Sequence, residues 1–170
     1  ITVTHISNSA SLGNVSDNIS RGNHLAHLLG NINENLFSLN ILSYQLYQTD
    51  PESLDLLNNH YCQAVRLGSL RSDIRSIEPV LRDTDILGFN LDAVRQSDSP
   101  ASLNCSPNGL YAEEVCQIAR YGGISDRLSI AGIFGFNLEK DLNSTTSQLV
   151  AQVIWHLIDG YISRTNDSPL

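Results

Sequence analysis

Asp85-Ile86-Leu87-Gly88-Phe89-Asn90-Leu91-Asp92-Ala93-Val94-Arg95-Gln96-Ser97-Asp98-Ser99-Pro100 is the stretch on which the reading of this chain turns. It opens as a short apolar strand, Ile86 to Phe89. It then sets two polar side chains, Asn90 and Asp92, two residues apart, a spacing that points both to one side of an extended backbone. A polar loop follows, closed by Pro100. A buried strand that delivers a polar pair at its carboxyl end is the usual layout of a site in an open α/β sheet. Two carboxylates there are a strong metal signal; here the pair is one amide and one carboxylate.

Working outward, apolar strand patterns alternate with helical ones. Ile1 to Ile6, Leu36 to Leu42, Ala64 to Leu67 and Leu128 to Phe136 read as strands. Asn23 to Gly30, a helix opened by Asp50-Pro51-Glu52, Ser69 to Leu81 (shortened or kinked by Pro79), Leu110 to Tyr121 (ended by Gly122-Gly123) and Ser144 to Ile162 read as helices. The last carries a wide apolar stripe of Leu149, Val150, Val153, Ile154, Leu157 and Ile158. Ser7 to Gly22 reads as a loop. The alternation predicts an α/β fold with a mainly parallel sheet flanked by helices, as one domain over residues 1–164 with a tail at 165–170.

Composition narrows the function classes. The 170 residues are 41% hydrophobic and 16% charged, with a net charge of −8. That balance fits a globular core and argues against nucleic acid, which needs a basic stripe. No apolar run approaches the ~18 residues of a membrane span, and the first residues lack the pattern of a signal peptide. Cys62, Cys105 and Cys116, odd in number and without CxxC spacing, point to reduced thiols and a cytoplasmic setting. Asn-x-Ser/Thr triplets at Asn14, Asn18, Asn104, Asn143 and Asn166 arise easily in a chain this rich in Asn and Ser.

The stretch Leu87 to Pro100 resembles the arginase (ureohydrolase) family, in its formimidoylglutamase-like branch. There a strand of the form Leu-Ser-Phe-Asp-x-Asp runs on into Ala-x-Arg-x-x-Asp-x-Pro. Here Gly88 stands in place of Ser, and Asn90 in place of the first aspartate. The resemblance continues through Ser106 to Tyr121 and through Ala151-Gln152-Val153-Ile154-Trp155. It implies a three-layer arginase-like fold, with this chain as its C-terminal part, lacking N-terminal strands, or as a truncated paralogue. Such a half exposes a sheet edge and apolar surface, so a protein partner or a homo-oligomer is expected.

The resemblance also implies a pair of divalent metals, typically manganese, that activate a hydroxide to attack a guanidinium or formimino carbon. The family's first ligand cluster, Asp-x-His-x-Asp, falls on Ser7, Ser9 and Ser11. Hydroxyls keep the alternate spacing but supply no charge to a hard cation. With Asn90 in the second cluster, Asp92 alone keeps a ligand. Gly135 stands where the family has a Glu that pairs with the cationic substrate group. The expectation is a catalytically inactive protein that binds no metal and has a structural or regulatory role in an assembly. Two alternatives stand beside it: a manganese-dependent hydrolase of formimino or guanidino C–N bonds, and a module that binds a small polar ligand in the old pocket. Among the remaining candidates, His24 and His27 read as a solvated helix face. His5 adjoins the serine cluster and is read as one residue off its register. Arg95 and Asp98 read as a loop-stabilising pair, and Cys116 as core.

Overall fold

The computed structural model describes residues 1–14, 18–20, 22–30, 36–60 and 62–164; the expected tail lies outside them. Five strands form one sheet among the described residues: β1 (Thr2–Ile6), β2 (Ser38–Tyr44), β3 (Gln63–Arg66), β4 (Ile86–Asn90) and β5 (Ile130–Phe134). Their order is β3-β2-β1-β4-β5 and every neighbouring pair is parallel. The α/β reading holds, and helices lie on both faces as parallel strands require.

Side-chain alternation sorts the core into two layers. On one face Ile6, Leu42, Leu87 and Phe89 pack with Leu70, Ile77, Ile118, Leu149 and Val153. These come from α3 (Leu67–Ser72), the turn Ile74–Ile77, α5 (Ala112–Ile124) and α6 (Thr145–Ile162), while α4 (Glu78–Arg82) adds Leu81. On the other face Leu39 and Ile41 pack with Leu25 and Leu29 of α1 (His24–Gly30) and Leu57 of α2 (Pro51–Asn59). The Asp50-Pro51 helix start is as expected: the Asp50 carboxylate accepts from the Ser53 amide at 2.8 Å.

Several boundaries differ from the sequence reading. β2 starts at Ser38 rather than Leu36, and Phe37 is left exposed. The single helix expected over Ser69 to Leu81 is three pieces. Asp73 leaves helical dihedrals (φ −152°, ψ 89°) and caps a new turn by accepting from the Arg75 amide. Pro79 then sits in the first turn of α4, where its missing N–H costs nothing, so it starts a helix instead of ending one.

Gly122-Gly123 does not stop α5, which continues to Ile124. Both glycines are there for close approach. A Cβ on Gly122 would lie 2.4 Å from the Leu87 side chain, and one on Gly123 would lie 2.3 Å from the Leu157 carbonyl oxygen. Gly160 answers from α6, where a Cβ would stand 2.4 Å from the Arg120 carbonyl oxygen. The two helices therefore cross backbone to backbone. Within the α6 stripe Leu149 and Val153 are buried, whereas Ile154 and Ile158 face outward.

Candidate functional site

The carboxyl ends of β1 and β4 open into a cleft of about 770 Å³ between α1 and β5. It brings together all six positions that the sequence singled out: Ser7, Ser9, Ser11, Asn90, Asp92 and Gly135. Its floor is the half of the sheet face that α1 leaves open, with Val3 and His5 from β1, Ile86 and Gly88 from β4, and Phe134 from β5.

The three serines form a ladder of local bonds. Ser7 Oγ accepts from the Ser9 amide at 3.3 Å, and Ser9 Oγ accepts from the Ser11 amide at 3.0 Å. Ser9 also donates to the Gln48 carbonyl at 2.7 Å, and Ser11 Oγ accepts from the Asp50 amide at 3.0 Å. The parallel bonds from Ala10 N to Thr49 Oγ1 and from Leu12 N to Ser53 Oγ tie the same loop to the start of α2. These hydroxyls thus satisfy the backbone of an irregular segment. Asp50 gains from this: burial pushes its pKa up, but the hydrogen bonds of Ser11 and Ser53 outweigh that and hold it below the ordinary value.

At β4 the chain does not stay extended through the polar pair. Leu91–Ala93 is a tight turn, and Asn90 Oδ1 accepts from the Asp92 amide at 3.2 Å. Both residues still line the cleft, brought there by this turn and not by strand alternation. Asp92 is buried, and both carboxylate oxygens are taken by one residue: Oδ1 by the Asn104 amide at 2.9 Å, Oδ2 by Asn104 Nδ2 at 3.1 Å. Gly135 has φ +83°, and a Cβ there would stand 2.7 Å from Asn90 Oδ1. A residue with a side chain is therefore disfavoured at that point by backbone and space together.

His5 lines the cleft. Positions 3, 5 and 7 share one face of β1, so it is in register with the serines, contrary to the sequence reading. Burial first, and the neighbouring His24 second, lower its pKa to about 4, so it is neutral at pH 7. The two rings meet edge to face with centroids 5.6 Å apart. His24 and His27 are half-buried and not a solvated face. His24 joining His5 went unseen because the loop that folds α1 over β1 carries no pairing signal. Asn104 was missed for the same reason: it reaches Asp92 across a loop of irregular backbone. The Arg95–Asp98 pair is present at 2.9 Å, and Cys62, Cys105 and Cys116 are free thiols, with Cys116 in the core.

No family model matches the chain. Formimidoylglutamase of Bacillus subtilis (strain 168) is 29% identical over 109 residues, which are 61% of this chain and 34% of the relative. The crystal structure of formimidoylglutamase from that bacterium superposes with a TM-score of 0.84 at 21% identity, over 96% of this chain and 54% of that one. This is an arginase/formimidoylglutamase-like chain. A Trypanosoma cruzi formiminoglutamase with Mn²⁺ (TM-score 0.85, 17% identity, 97% of this chain, 58% of that chain) and Helicobacter pylori arginase (0.73, 14%, 93%, 64%) share the fold. The arginase-like chain thus spans a third to just under two thirds of the length of these relatives.

The T. cruzi structure makes manganese the metal to test against this cleft. Among the described residues no three His, Cys, Asp or Glu side chains are grouped to hold an ion. The donor set at the six positions is three hydroxyls, one amide, one carboxylate and a glycine. Those hydroxyls accept backbone N–H groups, and the carboxylate is held at both oxygens by Asn104. One anionic group does not balance two divalent cations, so these residues do not fit a manganese pair.

Proposed function

We propose that this arginase-like chain is not a hydrolase and works by association, as a structural or regulatory component. The observation that carries the reading is the chemistry of the cleft. The six positions lie around one cleft, yet the five that carry side chains are committed to holding the loop and the turn after β4. Gly135 adds independent support, because it carries no side chain to pair with a substrate cation and its left-handed backbone disfavours one. The test is hydrolysis of a formimino and a guanidino substrate in the presence of manganese, beside a T. cruzi formiminoglutamase as positive control. No turnover by this chain is the expected result; manganese-dependent release of product overturns the reading.

A second reading has one observation in its favour. The cleft keeps about 770 Å³, a volume suited to a small ligand, with serine, asparagine and neutral histidine on its walls. In that reading it takes a neutral polar molecule. A screen of small amides and polyols for raised thermal stability supports it if one compound shifts the transition with concentration, and removes it if none does.

A further inference from the structure

β2 does not run straight to its end. It pairs with β3 residue for residue from Asn40 to Leu42, and then Tyr44, not Ser43, stands beside Arg66. Ser43 is the extra residue of a bulge. It is buried, its φ is +72°, and its Oγ donates to the Ser7 carbonyl at 3.1 Å. A bulge re-aims the side chains that follow it, and a serine keeps a left-handed backbone only where its surroundings hold it there.

The re-aimed residues shape a second pocket, of about 220 Å³, beyond the carboxyl ends of β2 and β3. Its walls come from residues 44–47, 66–71 and 108, three segments within the described chain. It shares no lining residue with the cleft, and it lies on the β3 side of the sheet, away from β5. Its floor is polar and tied down. Gln45 is buried, its Nε2 donates to the Asn108 carbonyl at 3.1 Å, and its Oε1 accepts from the Tyr47 hydroxyl.

Two arginines stand at this pocket in a chain with 18 acidic and 10 basic residues. Arg71 is held in place: Nε and Nη2 donate to Glu114, and Nη2 also donates to the Gly109 carbonyl. Its Nη1 is not used by any described residue. Arg66 differs from the other arginines of the ion pairs, Arg82, Arg95, Arg120 and Arg127, each of which has an acid beside it. Arg66 makes no ion pair among the described residues, and its side chain does not cap α3. An exposed, unpaired guanidinium beside a polar hollow offers a planar fork of donors, which matches carboxylate and phosphate oxygens.

We propose that this pocket takes a small oxyanion, a carboxylate or phosphate group, held by Arg66 with Arg71 beside it. A volume of about 220 Å³ is below the roughly 300–1,000 Å³ of sites for drug-sized ligands, so the occupant is a small molecule or the end of a larger one. The net charge of −8 opposes anions over the rest of the surface, so binding is expected to be local and modest, with Kd about 0.1–10 mM. The site does not depend on the state of the cleft, and it stands or falls whether or not the chain retains manganese.

The test is an NMR titration of the 170-residue chain with inorganic phosphate and, separately, with malonate, potassium chloride keeping the ionic strength constant. Saturable shifts centred on the amides of Tyr47, Arg66 and Gly68 are expected. Arg66→Gln should weaken binding roughly tenfold or more and keep the far-UV circular dichroism of the parent, because the side chain it changes is exposed and unpaired. Arg75→Gln, at an exposed arginine that lines neither pocket, should leave binding unchanged. Saturation by both probes supports a general oxyanion site, and saturation by one alone supports the site and assigns its chemistry. Three results overturn the proposal. One is no saturable shift up to about 50 mM of either probe. Another is binding that Arg66→Gln leaves intact. The third is a loss as large in Arg75→Gln as in Arg66→Gln, which marks diffuse attraction to surface cations.

Discussion

Gly135→Ala is the smallest change that tests whether the cleft is built around the loss of a side chain. Two costs can be worked out from the structure. Gly135 has φ +83°, and placing a Cβ in the left-handed region costs about 1–2 kcal/mol. The new Cβ would also lie 2.7 Å from Asn90 Oδ1, which must move. That oxygen accepts from the Asp92 amide at 3.2 Å, and weakening such a bond costs about 0.5–1.5 kcal/mol. The expected loss is about 2–3 kcal/mol, a fall of about 5–10 °C in Tm for a chain of this size. Urea unfolding followed by circular dichroism and fluorescence measures it, with coincident transitions required. In an Asn90→Ala background the second cost vanishes, so the two substitutions should couple by about 0.5–1 kcal/mol. A Gly135→Ala protein within about 0.5 kcal/mol of the parent, or one whose loss is unchanged by Asn90→Ala, would refute the reasoning.

Other outcomes are equally specific. Gly160→Ala should destabilise by about 1–3 kcal/mol despite the better helix former, because its Cβ meets the Arg120 carbonyl. Gly68→Ala in α3, with nothing within 4 Å, should be neutral or stabilise by up to about 1 kcal/mol; thermal melts of the pair check both. The Tyr111 ring lies between the Arg71 and Arg95 guanidinium groups, each 4.2 Å from its centroid, so Tyr111→Leu should cost about 1–2 kcal/mol in urea unfolding. Burial raises the Asp98 pKa, but hydrogen bonds from Arg95, the Ala112 amide and Ser97 outweigh it and hold the folded value below 3.8. Its contribution is therefore present at neutral pH and lost as pH falls below that value. Asp98→Asn should lower Tm at pH 7 and make little difference near pH ~2.

What the sequence made legible was periodic. β1, β3 and β4, the helix start at Asp50 and the inward faces of α5 all follow from apolar spacing or a cap, and each is visible within a few residues. The six cleft positions were legible through family resemblance, and the parallel order of β1 and β4 brought them to one place. What stayed hidden depends on partners far along the chain. Gly122-Gly123 has the look of a helix stop, and only Leu87, Leu157 and Gly160 show why it is a crossing. Asp73 breaks a helical pattern through its own carboxylate, a local contest between side chain and backbone that periodicity does not weigh. Asn104 reaches Asp92, and His24 reaches His5, by loop paths that no spacing rule encodes.

The central claim is that the cleft has the arginase-like layout without the chemistry to hold two divalent cations. Elemental analysis of the protein after incubation with manganese and desalting tests it most directly, with a T. cruzi formiminoglutamase carried through the same steps. The account predicts that the relative retains manganese and that this chain retains none. About two manganese ions per chain would contradict it, since hard cations at that occupancy need anionic ligands that Ser7, Ser9, Ser11 and Asn90 do not supply.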